Sequence, residues 1–387
     1  MAAASLAAAA CTGDATSSNG GNGGGGDDGN GGSGGSGSGD SLNQTLAARV
    51  VDYNAALRIA ALRLTGSLPT LDEINQIKNA ADDTAKKTAY GALIDNYMGR
   101  PTFAKQMFGF WQDAFKIGGS PDFDSGPALA TELTINNGSY MDLFTKADMN
   151  CPKFDPATGT VTEAACANGG TQAGVLSNPG VMASYFSNLG FRRVRWVQET
   201  FDCVRFPVEA TNAPQDVGGA TPYLGVWPFT SIAGKKSGVG RIDFQDTTST
   251  MCADCHETLN HIAPLFGNYD TKGVYQTTPQ VTLPLDGAPK AQMTDWLPAG
   301  ESTAWRFGQP AADLQGLGKA MSNDPAVASC GVARVWNWAL GKTDIVDTLQ
   351  TVPDSTIKDQ VAAFTADGFK LKDLIKAIYT SDDFTKF

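Results

Sequence analysis

The sequence predicts a mainly α fold of many helices, with long irregular loops and little sheet. Three observations predict it. Apolar residues recur at helical spacing in several separate stretches, strand-like alternation is scarce, and Gly, Pro and Asn collect between those stretches.

Each element follows from its own residues. Between Leu42 and Thr65 the apolar positions Leu46, Val50, Tyr53, Leu57, Ala60, Ala61 and Leu64 share one helical face. Thr70 with Glu73 three residues on is a capping box that opens a second helix. The stretch "GALIDNYMGRPTFAKQMFGFWQDAF" reads as the end of a helix, a Gly-Arg-Pro break and an aromatic-rich helix. From Gly118 to Gly180 the composition predicts mostly loops. "GFRRVRWVQETFDCVRFP" returns to helical period and stops at Pro207, and residues 208–240 are again irregular. A helix is expected from about Thr247. "PAADLQGLGKAMSN", "PAVASCGVARVWNWALGK", "DSTIKDQVAAF" and "KLKDLIKAIYTSDDF" complete a helical C-terminal region.

The chemistry concentrates in "MCADCHETLNHIAPLFGNYDTKGVY", Met251 to Tyr275. The chain holds 7 Cys and 2 His in 387 residues. A chance C-x-x-C-H is then expected on the order of 0.001 times. Two thiols at this spacing add across both vinyl groups of one haem, and the next imidazole lies against the iron. The pattern therefore assigns one covalent haem c to Cys252 and Cys255, with His256 as proximal ligand. A zinc site would need a second ligand pair, and no other C-x-x-C or H-x-H exists.

The second axial position has two thioether candidates, Met293 in a polar loop and Met321 on a predicted helix with apolar neighbours, where core packing is the plainer role. His261 lies five residues beyond His256, about 140° around a helix, so the two cannot bind opposite faces of one haem. Arg192, Arg193 and Arg195 are candidates to clamp haem propionates, with a solvated helix face as the plainer reading. Trp305, Trp336 and Trp338 are expected in the core or along the haem.

The N-terminal stretch "MAAASLAAAAC" (residues 1–11, a signal-peptide remnant with lipobox) resembles the lipobox of bacterial lipoproteins, which implies acylation at Cys11 once the residues before it are removed. Residues 12–40 are almost wholly Gly, Ser, Asn and Asp and form a flexible tether with nothing to bury. No later stretch is apolar enough to span a bilayer. The organisation that follows is a helical N-terminal domain over 41–207, a loop-rich haem-binding region over 208–307 and a helical region over 308–387.

Four cysteines remain once Cys11, Cys252 and Cys255 have roles. Cys151 and Cys166 flank a loop-like segment and form the natural local bridge, which leaves Cys203 with Cys330. Two disulfides and covalent haem both fit an oxidising compartment. The net charge of −11 argues against nucleic-acid binding.

Several stretches in one order are similar to large exported cytochrome-type proteins of planctomycetes and myxobacteria, built of modules still named as domains of unknown function. They are "LRLTGSLPTLDEI", "GVLSNPGVMASYFS" with "FRRVRWVQETFDCVRFP", "CADCHETLNHIAPLFGNYDTKGVY", and "CGVARVWNWALGK" with "LKDLIKAIYTSDDF". The resemblance implies a c-type cytochrome-like helical protein, export, and haem on Cys252, Cys255 and His256. It also carries a conserved-type loop onto Asn268, Tyr269, Asp270 and Gly273. This chain departs from the pattern at Asn260 and His261, where the family has Asp-Pro.

These readings converge on a single-haem electron-transfer protein outside the cytoplasm, at the periplasm or cell surface, as an outer-membrane lipoprotein of a Gram-negative bacterium. Its expected partners are a redox protein and the membrane. A haem peroxidase or oxidase, and a surface assembly protein with structural haem, are the alternatives.

Overall fold

A computed structural model describes residues 44, 47–203 (except 119, 149–150, 167 and 188–189), 233–236, 242–246, 258–278, 302–305, 309–341 and 352–387. The fold is mainly α, as the periodicity predicts. The N-terminal region folds as α1 (Tyr53–Thr65), α2 (Leu71–Lys78), α3 (Asp83–Met98), α4 (Pro101–Phe115), α5 (Ser125–Ile135) and the short α6 (Asp142–Thr145). Then come α7 (Pro179–Ser184) and α8 (Phe191–Phe201). The C-terminal region supplies α9 (Leu314–Ser322), α10 (Pro325–Ala339), α11 (Asp354–Ala366), α12 (Leu371–Tyr379) and α13 (Asp382–Thr385). Among the described residues, sheet is confined to three two-stranded antiparallel pairs. They are β1 (Lys153–Asp155) with β2 (Thr160–Thr162), β3 (Ala233–Lys236) with β4 (Ile242–Asp246), and β5 (Ala304–Trp305) with β6 (Gln309–Pro310).

The local signals act as chemistry requires. Asp52 caps α1 by accepting from Asn54 and Ala55 N–H, and Gly66 ends it in the left-handed region at φ 73°. Thr70 and Glu73 form the reciprocal capping box on α2. Arg100 precedes Pro101 at the first position of α4, the break that separates it from α3. One continuous hydrophobic core runs from Ala56 on α1 to Phe384 on α13, so the N- and C-terminal helical regions pack on each other.

Two expectations about local structure are corrected. Residues 118–180 hold more than loops, because α5 lies among them with eight of its residues buried. Val50 does not share the buried face of α1. It precedes the helix, donates to the Phe387 carbonyl at 2.9 Å and is largely exposed.

Glu73 does more than cap. Its carboxylate also takes bonds from Tyr97 Oη and the Arg100 guanidinium, within the α2–α4 corner. Burial alone would raise this carboxyl, but Arg100, the Thr70 N–H and Tyr97 outweigh it and hold it below the usual range. A lowered folded value gives stability that is present above the unfolded value and lost as pH falls through the folded one. Glu73→Gln should therefore cost about 1–2 kcal/mol at neutral pH. The gap from wild type should shrink as pH drops below about 4, which urea titrations at both pH values measure.

Candidate functional site

Cys252, Cys255 and His256, expected from the sequence to hold a haem, lie outside the described residues, as do Cys11 and Met293. What is described begins two residues beyond His256. Residues 258–262 are helical, the turn Ala263–Phe266 follows, and residues 267–278 form a compact loop. Asn260 and Ile262 are fully buried and His261 nearly so, so this segment is built into the core.

The loop is set by Asp270. Its carboxylate accepts from the backbone N–H of Lys272 and Val274 at 2.8 and 3.0 Å, and from Gln276 Nε2 at 2.9 Å. Burial would raise this carboxyl, but the Val274, Lys272 and Gln276 bonds outweigh it and hold it below the ordinary range. Gly273 stands at φ 73°, and a Cβ there would lie 2.3 Å from the Pro179 carbonyl oxygen. Only glycine lets the loop approach the start of α7 this closely. On the other side the Tyr275 N–H donates to the Asn168 carbonyl at 2.7 Å, and Asn168 in turn donates to the Ser177 carbonyl.

Arg193 on α8 ties these pieces together. Its five N–H donors go to backbone carbonyls: Met182 twice, and Phe266, Tyr269 and Asp270 once each, at 2.7–3.2 Å. The planar fork suits carbonyls that converge from two segments. Burial pushes the guanidinium down to about 10, against the opposing pull of Tyr269 and Asp270, so it stays charged at neutral pH. A propionate role for Arg193 does not fit, because no donor is left for one. Arg192 and Arg195 are exposed on the same helix. Arg195 pairs with Glu199 at 2.7 Å, and Arg192 lies over the Tyr185 ring.

The end of α8 is tied to α10 in the same manner. Arg334 donates to the Glu199 and Thr200 carbonyls, and Cys203 is bridged to Cys330. The second bridge joins Cys151 and Cys166 around the β1–β2 hairpin. Both pairings expected from the sequence are present. The neighbouring stretches "GVMASYFS" and "FRRVRW" thus meet "LFGNYD" and "CGVARVW", which lie far along the chain, around α8.

Whether these surroundings suit a haem can be asked of their buried polar groups. Trp196 Nε1 on α8 and both side-chain polar atoms of Asn337 on α10 are buried and find no hydrogen-bond partner among the described residues. Asn337 lies two turns beyond Cys330, hence on the face of α10 that is bridged to α8. The indole and amide N–H groups are donors of the kind an anionic carboxylate would satisfy, whereas Asn337 Oδ1 is an acceptor that a carboxylate would not. Met321 is fully buried on α9 within the core. Trp305 and Trp336 are core residues, and Trp305 Nε1 is fixed by Asp324 at 3.0 Å. Trp338 packs on the rings of Phe110 and Tyr379.

Comparison with protein families, with curated proteins and with solved structures finds no match to this chain. Among the described residues no helix is long and apolar enough to cross a membrane, and no group of three or more His, Cys, Asp or Glu is placed to hold a metal ion.

The clasp around Arg193 was not legible from the sequence. It joins residues more than seventy positions apart through backbone carbonyls, which carry no side-chain signature. The one available hint was an arginine amid helix residues that turn out buried: Val194, Trp196 and Val197.

Proposed function

We propose that this chain is a single-haem c-type cytochrome that carries electrons outside the cytoplasm, held at a membrane through an acylated Cys11. The observation that carries the proposal is the Cys252-Ala-Asp-Cys255-His256 sequence. The two disulfides support it, because they need the oxidising compartment in which haem c is also attached.

In this reading Cys252 and Cys255 hold the haem through thioether bonds and His256 Nε2 binds its iron. The group supplies a one-electron change at that iron. The residues of the chain do the rest. Asp270, Gly273 and Arg193 fix the segment that begins two residues after His256. Trp196 and Asn337 offer buried donors to the anionic edge. Met293 or Met321 would supply a thioether as a further ligand.

Visible spectra of the exported protein, oxidised and reduced, test this. A low-spin spectrum with the weak far-red band of thioether ligation is expected, lost in one of Met293→Ala and Met321→Ala and kept in the other. A high-spin spectrum that shifts with cyanide or peroxide would instead favour a haem enzyme and overturn the carrier reading.

A further inference from the structure

The turn that leaves α5 carries a chemically labile pair, Asn137 followed by Gly138. In an Asn-Gly pair the backbone nitrogen reaches the asparagine side chain most easily, because glycine has no Cβ to hinder it. The fold itself demands both residues. Asn137 stands at φ 55°, in the left-handed region that asparagine tolerates better than most side chains. A Cβ on Gly138 would lie 3.0 Å from Leu133 Cδ2 and 3.1 Å from the Leu133 carbonyl oxygen.

The surroundings occupy every reacting group. The Gly138 N–H, whose nitrogen is the nucleophile, donates to the Leu133 carbonyl at 2.7 Å. Asn137 Nδ2 donates to Asp373 Oδ2 at 2.7 Å. Asn137 Oδ1 accepts from the Lys372 and Asp373 N–H at 3.1 and 3.3 Å, in the open first turn of α12. Those two bonds polarise the Cγ carbonyl and by themselves favour attack. The side chain is clamped to α12, however, while the attacking nitrogen is tied back to α5, so attack first requires that one of them lets go. Asn168-Gly169 is the other such pair among the described residues, and Asn168 is 1% exposed, with its amide on the Ser177 carbonyl. Asn137, at the surface, is the one open to water.

We propose that Asn137 is a latent deamidation site, closed in the folded chain and released when the seam between α5 and α12 opens. In the step, Gly138 N bonds to Asn137 Cγ and the Cγ–Nδ2 bond breaks. Ammonia leaves with the proton from Gly138 N, and water opens the resulting imide to aspartate or isoaspartate. No electrons are exchanged. The place gives the step its consequence. The Leu371 N–H donates to the Gly138 carbonyl, the Tyr140 N–H donates to the Phe369 carbonyl at 2.7 Å, and Ser139 pairs with Lys370. These bonds join the N-terminal helices to the C-terminal ones. Aspartate at 137 sets a carboxylate against that of Asp373, and isoaspartate adds a methylene to the main chain inside the seam. Conversion is irreversible and weakens the contacts that held it back. The proposal is independent of haem and of any anchor.

The test is peptide mapping of the full chain after incubation at mildly alkaline pH, folded and in urea, reading the mass shift of the peptide that contains Asn137. Conversion is expected to be slower in the folded chain by about tenfold or more, since it waits on local opening. Asp373→Ala, which frees Nδ2, should convert several-fold faster than the parent while folded. Asn137→Asp should melt at a lower temperature than the parent, and Asn137→Asp/Asp373→Asn should recover most of the loss, because the carboxylate then faces an amide. Equal rates in the folded and unfolded chains, or no conversion in urea, would overturn the proposal. So would an unchanged rate in Asp373→Ala, or a parent-like melt of Asn137→Asp.

Discussion

Replacing both Cys203 and Cys330 by alanine is expected to lower stability by about 4–5 kcal/mol, the loop-closure entropy of a bridge this long. The bridge spans 127 positions and connects the end of α8 to the middle of α10. Removing the Cys151–Cys166 bridge, which spans 15, should cost about 3 kcal/mol. Domains of ordinary stability have only about 5–15 kcal/mol in total. The long bridge should therefore decide whether the reduced chain stays folded at growth temperature. Urea titrations of the two double variants measure both losses, and equal losses would contradict the loop-length account. Cys203 is itself held at φ 57°, a conformation favoured by glycine, which shows how firmly the surroundings fix it.

The second large effect is expected at Arg193. Arg193→Met keeps much of the side-chain volume but removes every donor. The carbonyls of Met182, Phe266, Tyr269 and Asp270 are then left without this partner. Losing one side of a buried charged network costs about 3–5 kcal/mol. Arg193→Lys should recover little, since one ammonium cannot reach carbonyls on two segments in the fork geometry. The loss should be local before it is global. Limited proteolysis should cut within residues 258–278 in the variant while cutting the wild type there slowly. Equal cleavage of the two proteins, with equal melting, would show that the loop is held by Asp270 and Gly273 alone.

How far the structure was legible differs from element to element. The capping box at Thr70 and Glu73 and the Arg-Pro break before α4 were readable, because each is a local bond or steric rule written in adjacent residues. Both disulfides were readable by elimination among few cysteines. Helix α5 was not. Its residues "SGPALATELTI" are buried nearly all round, so they lack the polar face that gives a helix its period, and the Gly and Pro near its start look like loop. Val50 fits the helical period of its neighbours, yet pairing of the preceding strand-like residues with Lys386 and Phe387 removes it from the helix. Tertiary contacts across the whole chain decide that, and no window of sequence contains them.

The same division holds at the candidate site. The Cys252-x-x-Cys255-His256 pattern was visible because the covalent chemistry proposed for it fixes its spacing. The surroundings were visible only as separate stretches, and their meeting point around Arg193 depends on carbonyls that every residue possesses.

The central claim is covalent haem on Cys252 and Cys255, and intact mass of the chain exported from cells that carry a haem c attachment system tests it most directly. The account predicts a mass higher than the polypeptide by one haem, resistant to acid acetone extraction and absent from Cys252→Ala/Cys255→Ala. A wild-type chain at its bare polypeptide mass, folded and with both disulfides formed, would contradict it.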